Sequence, residues 1–267
     1  MNEYFFNNRN LAYRKNEFRA DRPTIVCIHG LSGSASAWFP YEKSFSEKYN
    51  LLTFDLRGHG KSKKYTDYAE YELKKFADDL YELIEYLSIQ KCTLLSHSFG
   101  TLAALEFLHA HPEKVSSAVF LSPTAFLNKT LWFPIIKVVG GVLVILYRFI
   151  PFHPTIVGRV DYSPLIPSWD WDLRRIPKDL RATSVRVYTY CLTHAYAKNF
   201  DPMWKDIHVP TLLIHGNRDS IIPVHHSELL MKEIRGSTLV VLEHANHILV
   251  INNVPEIANH IEAFVQK

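Results

Sequence analysis

The chain has few cysteines, and their spacing forms no recognisable motif. Cys27, Cys92 and Cys191 are widely spaced along the 267 residues, and no Cys-x-x-Cys pair occurs. An odd number of scattered cysteines is typical of reduced core thiols, not of a disulfide framework. Such thiols suit a reducing compartment, so the cytoplasm is the expected location.

The chain also lacks a strong charge of either sign. Its 30 basic and 27 acidic side chains leave a net charge of +3, and no Lys/Arg-rich run occurs. A nucleic-acid partner is therefore not expected. The sequence contains no phosphate-cradling glycine loop or dinucleotide fingerprint, and its histidines lack the spacing typical of metal sites, so we expect neither cofactor nor metal.

Long hydrophobic runs are missing as well. The start, MNEYFFNNRN, has no apolar core of a secretory signal. The most apolar stretch, residues 131–152, has only ten uncharged residues between Lys137 and Arg148. About 20 are needed to cross a bilayer, so this stretch predicts a buried or interfacial helix.

Short apolar runs that alternate with helical segments are present. Six such runs predict strands: 24–30, 50–60, 91–98, 116–123, 210–219 and 237–247. Leucine, isoleucine and phenylalanine recur at helical spacing over 73–87, and residues 3–18 could form an antiparallel hairpin. The pattern predicts an α/β fold with a mostly parallel central sheet and helices on both faces.

The interval 123–208 interrupts this alternation, because it is rich in Pro and Trp and holds no strand-loop-helix unit. We interpret it as a cap or lid insertion over the carboxyl ends of the strands, where open α/β sheets bind ligands. Residues 1–122 and 209–267 are then the core. Within the insertion, six apolar side chains could line a pocket or touch lipid: Trp132, Phe133, Ile136, Val139, Leu143 and Tyr147.

The stretch CTLLSHSFGTLAAL, residues 92–105, places a serine where a buried strand passes into a helix. A sharp turn there exposes one side chain beside a helix N-terminus and needs small residues two positions before and after it. Ser98 meets this need with Ser96 and Gly100. Ser96 does not, because Leu94 is too large. Ser98 is therefore the candidate nucleophile.

The sequence S-H-S-F-G resembles the nucleophile elbow G-x-S-x-G of the α/β-hydrolase superfamily, with Ser96 in place of the first glycine. The resemblance implies that fold with a helical cap insertion, and a triad in the chain order Ser, acid, His. HGNRDSIIP resembles the superfamily's acid loop and assigns Asp219. EHANHILV resembles its histidine loop and assigns His247, with His244 as an alternative base.

The resemblance also implies an oxyanion hole of two backbone N–H groups, from Phe99 after the nucleophile and from Leu31 in HGLSGSASAW. In FDLRGHGKS, Asp55, Arg57 and His59 resemble residues that hold loops together. His97 is interpreted as a packed residue of the elbow.

A serine at the elbow argues against haloalkane dehalogenases and epoxide hydrolases, which use aspartate there. The chain therefore resembles a carboxylesterase or monoacylglycerol lipase, and an ester with an apolar acyl group is the expected substrate. A thioesterase or a C–C bond hydrolase of the same fold stays open, as does a hydrolase-fold ligand receptor with little turnover. Peripheral contact with lipid through the cap is a further expectation, and nothing in the sequence indicates the oligomeric state.

Overall fold

The predicted apolar runs all become strands of one sheet. The computed structural model describes residues 1–266 and contains an eight-stranded sheet in the order β1-β2-β4-β3-β5-β6-β7-β8. The strands are β1 (Asn2–Phe6), β2 (Leu11–Lys15), β3 (Thr24–Ile28), β4 (Asn50–Phe54), β5 (Cys92–His97), β6 (Val115–Leu121), β7 (Thr211–Gly216) and β8 (Thr238–Leu242).

The sheet is antiparallel only at one end. The predicted hairpin of β1 and β2 is present, and β2 runs antiparallel to β4. All strands from β4 to β8 pair in parallel, so their carboxyl ends lie along one edge. The loops that carry Leu31, Ser98, Asp219 and His247 leave from this edge.

Helices fill the connections between the strands. Their bounds are α1 (Phe39–Phe45), α2 (Leu73–Tyr86), α3 (Gly100–Ala110), α4 (Phe133–Tyr147), α5 (Ile176–Thr183), α6 (Val185–Ala197), α7 (Asp201–Trp204), α8 (His225–Glu233), α9 (Leu249–Asn252) and α10 (Val254–Val265). None of the described helices combines the length and hydrophobicity that a bilayer crossing requires.

The core lies on both faces of the sheet, because successive side chains of a strand point in opposite directions. In β3, Val26 and Ile28 pack in the cluster that includes α2 and α3. Ile25 and Cys27 pack in the cluster that includes α1 and α10. The predicted fold class, a mostly parallel sheet covered on both faces, is confirmed.

All three cysteines are buried and free, as the sequence analysis expected. Their spacing and burial agree with reduced core thiols. The segment between β6 and β7 contains the helices α4 to α7, and α4 packs on α6. That residues 123–208 act as a cap stays a prediction.

The loops that follow β3 and β4 are fixed by buried polar groups. Leu56 donates its backbone N–H to His29 Nε2 at 3.0 Å, and His59 Nδ1 donates to the Arg57 carbonyl at 2.9 Å. The Asp55 carboxylate accepts N–H groups from Ala35 and Lys61. The structure thus gives Asp55 and His59 the loop-holding contacts that the resemblance implied.

Three of the buried histidines remain neutral in the folded protein. Burial lowers the pKa of His29 to about 4 and that of His59 to about 3. Burial, followed by the electrostatic effect of the neighbouring His247, lowers the pKa of His97 to about 3. In the unfolded chain each would titrate near its ordinary pKa of about 6.5.

We therefore expect acid to destabilise the fold. Below about pH 6.5 the unfolded chain binds more protons than the folded one, so the stability present at neutral pH is lost as the pH falls toward 4. Each such histidine contributes at most about 1.4 kcal/mol per pH unit. Urea unfolding at a series of pH values measures the slope. His59→Gln should reduce the dependence of the free energy of unfolding on pH more than His225→Gln does, because His225 is exposed. Equal slopes for the two variants would contradict buried histidines as the cause.

Candidate active site

Ser98 occupies a strained turn between β5 and α3. Its φ is +51°, in the left-handed region that a serine seldom adopts. A Cβ on Gly100 would lie 2.4 Å from the carbonyl oxygen of His29, so only glycine fits there. Ser96 is fully buried and occupies the other position that needs a small residue. The sequence therefore meets the steric conditions for a turn that presents the Ser98 hydroxyl.

The structure brings Ser98, His247 and Asp219 together. Ser98 Oγ donates to His247 Nε2 at 2.8 Å, and His247 Nδ1 donates to Asp219 Oδ2 at 2.7 Å. Asp219 follows β7 and His247 follows β8, so both approach Ser98 from the same edge of the sheet. A base so placed can remove the hydroxyl proton, and the carboxylate can orient that base.

Asp219 is held as a carboxylate by its surroundings. Burial opposes its ionisation, but electrostatic attraction to His247 and hydrogen bonds from His215 and His247 outweigh this and lower the pKa of Asp219. Its Oδ1 accepts the backbone N–H groups of Ile221 and Ile222 at 2.9 and 2.8 Å. The negative charge therefore persists beside His247.

The alternative base does not reach the nucleophile. His244 is exposed, and its Nδ1 accepts a hydrogen bond from Arg218 at 3.0 Å. His97, interpreted from sequence as packed, donates from Nε2 to the His247 carbonyl at 2.9 Å. Its neutral ring thereby fixes the main chain of the histidine loop.

Sequence reasoning missed Asp170, which holds the histidine loop from the other side. This buried carboxylate accepts the His247 backbone N–H on Oδ1 at 2.8 Å, and the Ser220 N–H and hydroxyl on Oδ2 at 2.8 and 2.7 Å. Asp170 thus joins the loop of the acid to the loop of the base. The only local signal was a carboxylate between two tryptophans in SWDWD, which does not reveal its partners.

A cavity of about 330 Å³ opens above Ser98. Ser98, His247, Leu31 and Phe99 all line it. Within residues 1–266, neither the Leu31 nor the Phe99 N–H donates to a backbone carbonyl. Phe99 also precedes α3, so the positive end of that helix faces the nucleophile. That these two amides form an oxyanion hole stays a prediction.

The walls of the cavity are mostly apolar, and about half of the lining residues come from the segment between β6 and β7. They include Leu127, Ile176, Leu180, Leu192, Ile221 and Val250. Six side chains were expected to line a pocket or touch lipid: Trp132, Phe133, Ile136, Val139, Leu143 and Tyr147. None of them lines this cavity, so the first alternative is wrong for it, and contact with lipid stays a prediction. The α4 helix lies outside α6, and α6 supplies the wall with Tyr188, Leu192 and Tyr196.

In the part of the chain that the structure describes, no three His, Cys, Asp or Glu side chains cluster closely enough to hold a metal ion. The polar groups at the cavity floor are instead hydrogen-bonded to one another. The arrangement can remove a proton from a hydroxyl and can offer backbone donors to a developing negative charge.

A family model described as alpha/beta hydrolase fold matches residues 23–254. Among curated relatives, 3-oxoadipate enol-lactonase 2 of Acinetobacter baylyi is 26% identical over 251 residues, which cover 93% of this chain and 90% of the relative. A putative esterase/lipase of Haemophilus influenzae is 25% identical, with 92% of this chain and 84% of the relative covered.

Solved structures share the fold at low identity. A thermophilic esterase from Thermogutta terrifontis superposes with a TM-score of 0.74 at 19% identity, covering 96% of this chain and 93% of that chain. A likeness at this identity supports the architecture and no more.

We expect Asp170→Asn to slow any reaction that uses His247. An amide has one acceptor oxygen and one donor NH₂, so it can satisfy the donor on only one of the two loops that Asp170 joins. The kcat of such a reaction should fall about 10-fold with little change in KM, as expected for a misplaced base. Asp172→Asn is the matched control, because Asp172 accepts from Arg174 and Ser168 and contacts neither loop. If both variants lose kcat equally, Asp170 does not position the base.

Proposed function

Because the chain belongs to the α/β hydrolase fold family, we propose that it hydrolyses carboxylic esters through an acyl-enzyme on Ser98. The observation that carries this proposal is the unbroken hydrogen-bonded series from Ser98 through His247 to Asp219 at the floor of the cavity. The same three groups would serve both halves of the reaction.

In the first half, Ser98 Oγ attacks the carbonyl carbon of the ester while His247 Nε2 takes the hydroxyl proton. Asp219 stabilises the imidazolium that forms. The N–H groups of Leu31 and Phe99 would bind the oxyanion, a contribution worth several kcal/mol of barrier. The alcohol leaves with the proton from His247, and the acyl group remains on Ser98.

In the second half, water attacks the acyl carbonyl and gives its proton to His247 Nε2. The tetrahedral intermediate collapses, Ser98 regains the proton, and a carboxylic acid leaves. The left-handed backbone of Ser98 and the anchored histidine loop keep the two reacting atoms in place throughout, which is what makes such a step effectively unimolecular.

An apolar acyl group fits the walls of the cavity best. Leucine and isoleucine side chains line it above the nucleophile, and removing such surfaces from water favours binding of a hydrocarbon chain. We propose that residues 123–208 act as a cap, because α5 and α6 supply much of that wall. Names among the relatives support the reaction class: one is a putative esterase/lipase, and an enol-lactone is a cyclic ester.

The proposal is tested with p-nitrophenyl esters. Ser98→Ala and His247→Ala should each lower kcat by about 10⁴-fold, because the nucleophile or its base is lost. His244→Ala, three residues away and exposed, should keep most of the activity. Equal hydrolysis by wild type and Ser98→Ala would refute the proposal. A larger loss of activity in His244→Ala than in His247→Ala would identify His244 as the base.

A series of acyl chains, offered as oxygen esters, thioesters and amides, defines the substrate class in the same experiment. Activity should peak on chains longer than acetate, since each added methylene finds an apolar wall. A steep fall beyond acetate would contradict the apolar pocket. Faster turnover of the matched thioesters would make the chain a thioesterase with the same triad, and no turnover of any of them would favour a binding protein.

A further inference from the structure

Helix α4 leaves one side uncovered, and that side is apolar. Ten large apolar side chains between residues 131 and 150 are at least half exposed: Leu131, Trp132, Ile135, Val138, Val139, Val142, Ile145, Leu146, Phe149 and Ile150. We call these ten residues the α4 face. Exposed patches of this kind are rare on monomeric proteins and mark binding surfaces.

The geometry of α4 gathers these side chains into one stripe. At 3.6 residues per turn, the six members inside the helix, from Ile135 to Leu146, fall within about 120° of its circumference. The opposite side packs closely on α6, where a Cβ on Gly140 would lie 2.6 Å from Thr193 Oγ1. The helix is therefore anchored to the protein by one side and presents the other to its surroundings.

The charged side chains along α4 and on the helix that supports it are all of one sign. Residues 114–160 contain no Asp or Glu, and the supporting helix α6 has none either. The exposed cations Lys137 and Arg148 lie eleven residues apart, three helical turns, and so share one flank of α4. Lys129 is exposed beside the start of the helix. An apolar stripe flanked by cations on its own helix is complementary to a membrane surface, which is anionic outside and apolar inside.

We propose that the α4 face binds a lipid bilayer that contains anionic headgroups, with α4 lying flat in the interface. The apolar stripe would enter the boundary of the acyl chains, and Lys137 and Arg148 would reach back to the headgroups. Trp132 and Phe149 stand near the two ends of the helix, and aromatic rings favour this depth of the membrane. The proposal goes beyond hydrolysis, since binding of lipid does not require turnover.

The charges favour a bilayer over a second copy of the chain. In a two-fold symmetric dimer the α4 face would meet itself, because such an interface uses the same patch on both subunits. The cations of each copy would then approach those of the other with no carboxylate from α4 or α6 between them, and like charges at an interface are costly. Anionic headgroups supply the charge that a second copy lacks.

The same packing links the α4 face to the cavity. The α6 helix contacts α4, and its Tyr188, Leu192 and Tyr196 line the cavity above Ser98. Phe133, at the start of α4, also stacks on Tyr196 with 5.9 Å between the ring centroids. Only α4 would therefore separate a bound bilayer from α6, the helix that lines the cavity.

The test measures binding of the Ser98→Ala protein to vesicles of phosphatidylcholine with and without phosphatidylglycerol, by flotation. Binding should be stronger to the anionic vesicles and should weaken at high salt, which screens the exposed cations.

Val138→Ser/Val142→Ser/Phe149→Ser should lower the partition coefficient about 10- to 100-fold. Tyr86→Ser/Val185→Ser/Met231→Ser is the matched control, since these three apolar side chains are also exposed but lie outside the α4 face. It should bind like the parent.

Lys137→Gln/Arg148→Gln, which leaves Lys129 in place, should weaken the preference for phosphatidylglycerol while keeping residual binding to both vesicles. Thermal unfolding of each variant verifies that it is folded, and this check does not depend on ester hydrolysis. The proposal is overturned if the parent does not bind anionic vesicles, or if the face and control variants bind equally. It is also overturned if the parent protein binds no vesicles and is a dimer, and the substitutions in the α4 face convert that dimer to a monomer.

Discussion

The hydrogen bond between Ser98 Oγ and His247 Nε2 is the contact on which the account of this protein depends. It forms only because Ser98 adopts a left-handed backbone conformation, which costs on the order of 1–3 kcal/mol. The surrounding structure offsets this cost: β5 is paired on both sides, with β3 and β6, and α3 begins directly after the turn. A buried central strand thus forces a strained residue into the position from which its hydroxyl meets the imidazole.

The imidazole is held as firmly as the hydroxyl. Asp219 binds its Nδ1, His97 binds the carbonyl of its main chain, and Asp170 binds its backbone N–H. Asp219 lies in the loop after β7 and His97 ends β5, while Asp170 comes from the segment between β6 and β7. The segment that supplies the cavity walls therefore also orients the base. Its outer helix, α4, presents an apolar and cationic surface, so the proposed binding surface and the cavity wall belong to one connected set of helices.

The residues next to strand ends were predictable from sequence, and the residues of the insertion were not. Ser98, Asp219 and His247 follow apolar strands within a few positions. A short sequence motif therefore identifies each residue and predicts its position at a strand end. Asp170 contacts His247 across 77 residues, and no periodicity in a strandless segment indicates such a contact. The apolar run 131–152 predicted a helix correctly. The predicted pocket lining was wrong because α6 lies between α4 and the cavity, and the close packing of Gly140 on α6 that sets this arrangement is not indicated by any local pattern.

The most direct test of the central contact is covalent labelling by an organophosphonate ester, which reacts with a serine only when a base has activated it. Intact-protein mass and peptide mapping would locate the adduct. The account predicts one adduct, on the peptide that contains Ser98, formed rapidly by the wild type and at a greatly reduced rate by His247→Ala. Rapid labelling of a different residue, or undiminished labelling of Ser98 without His247, would contradict it.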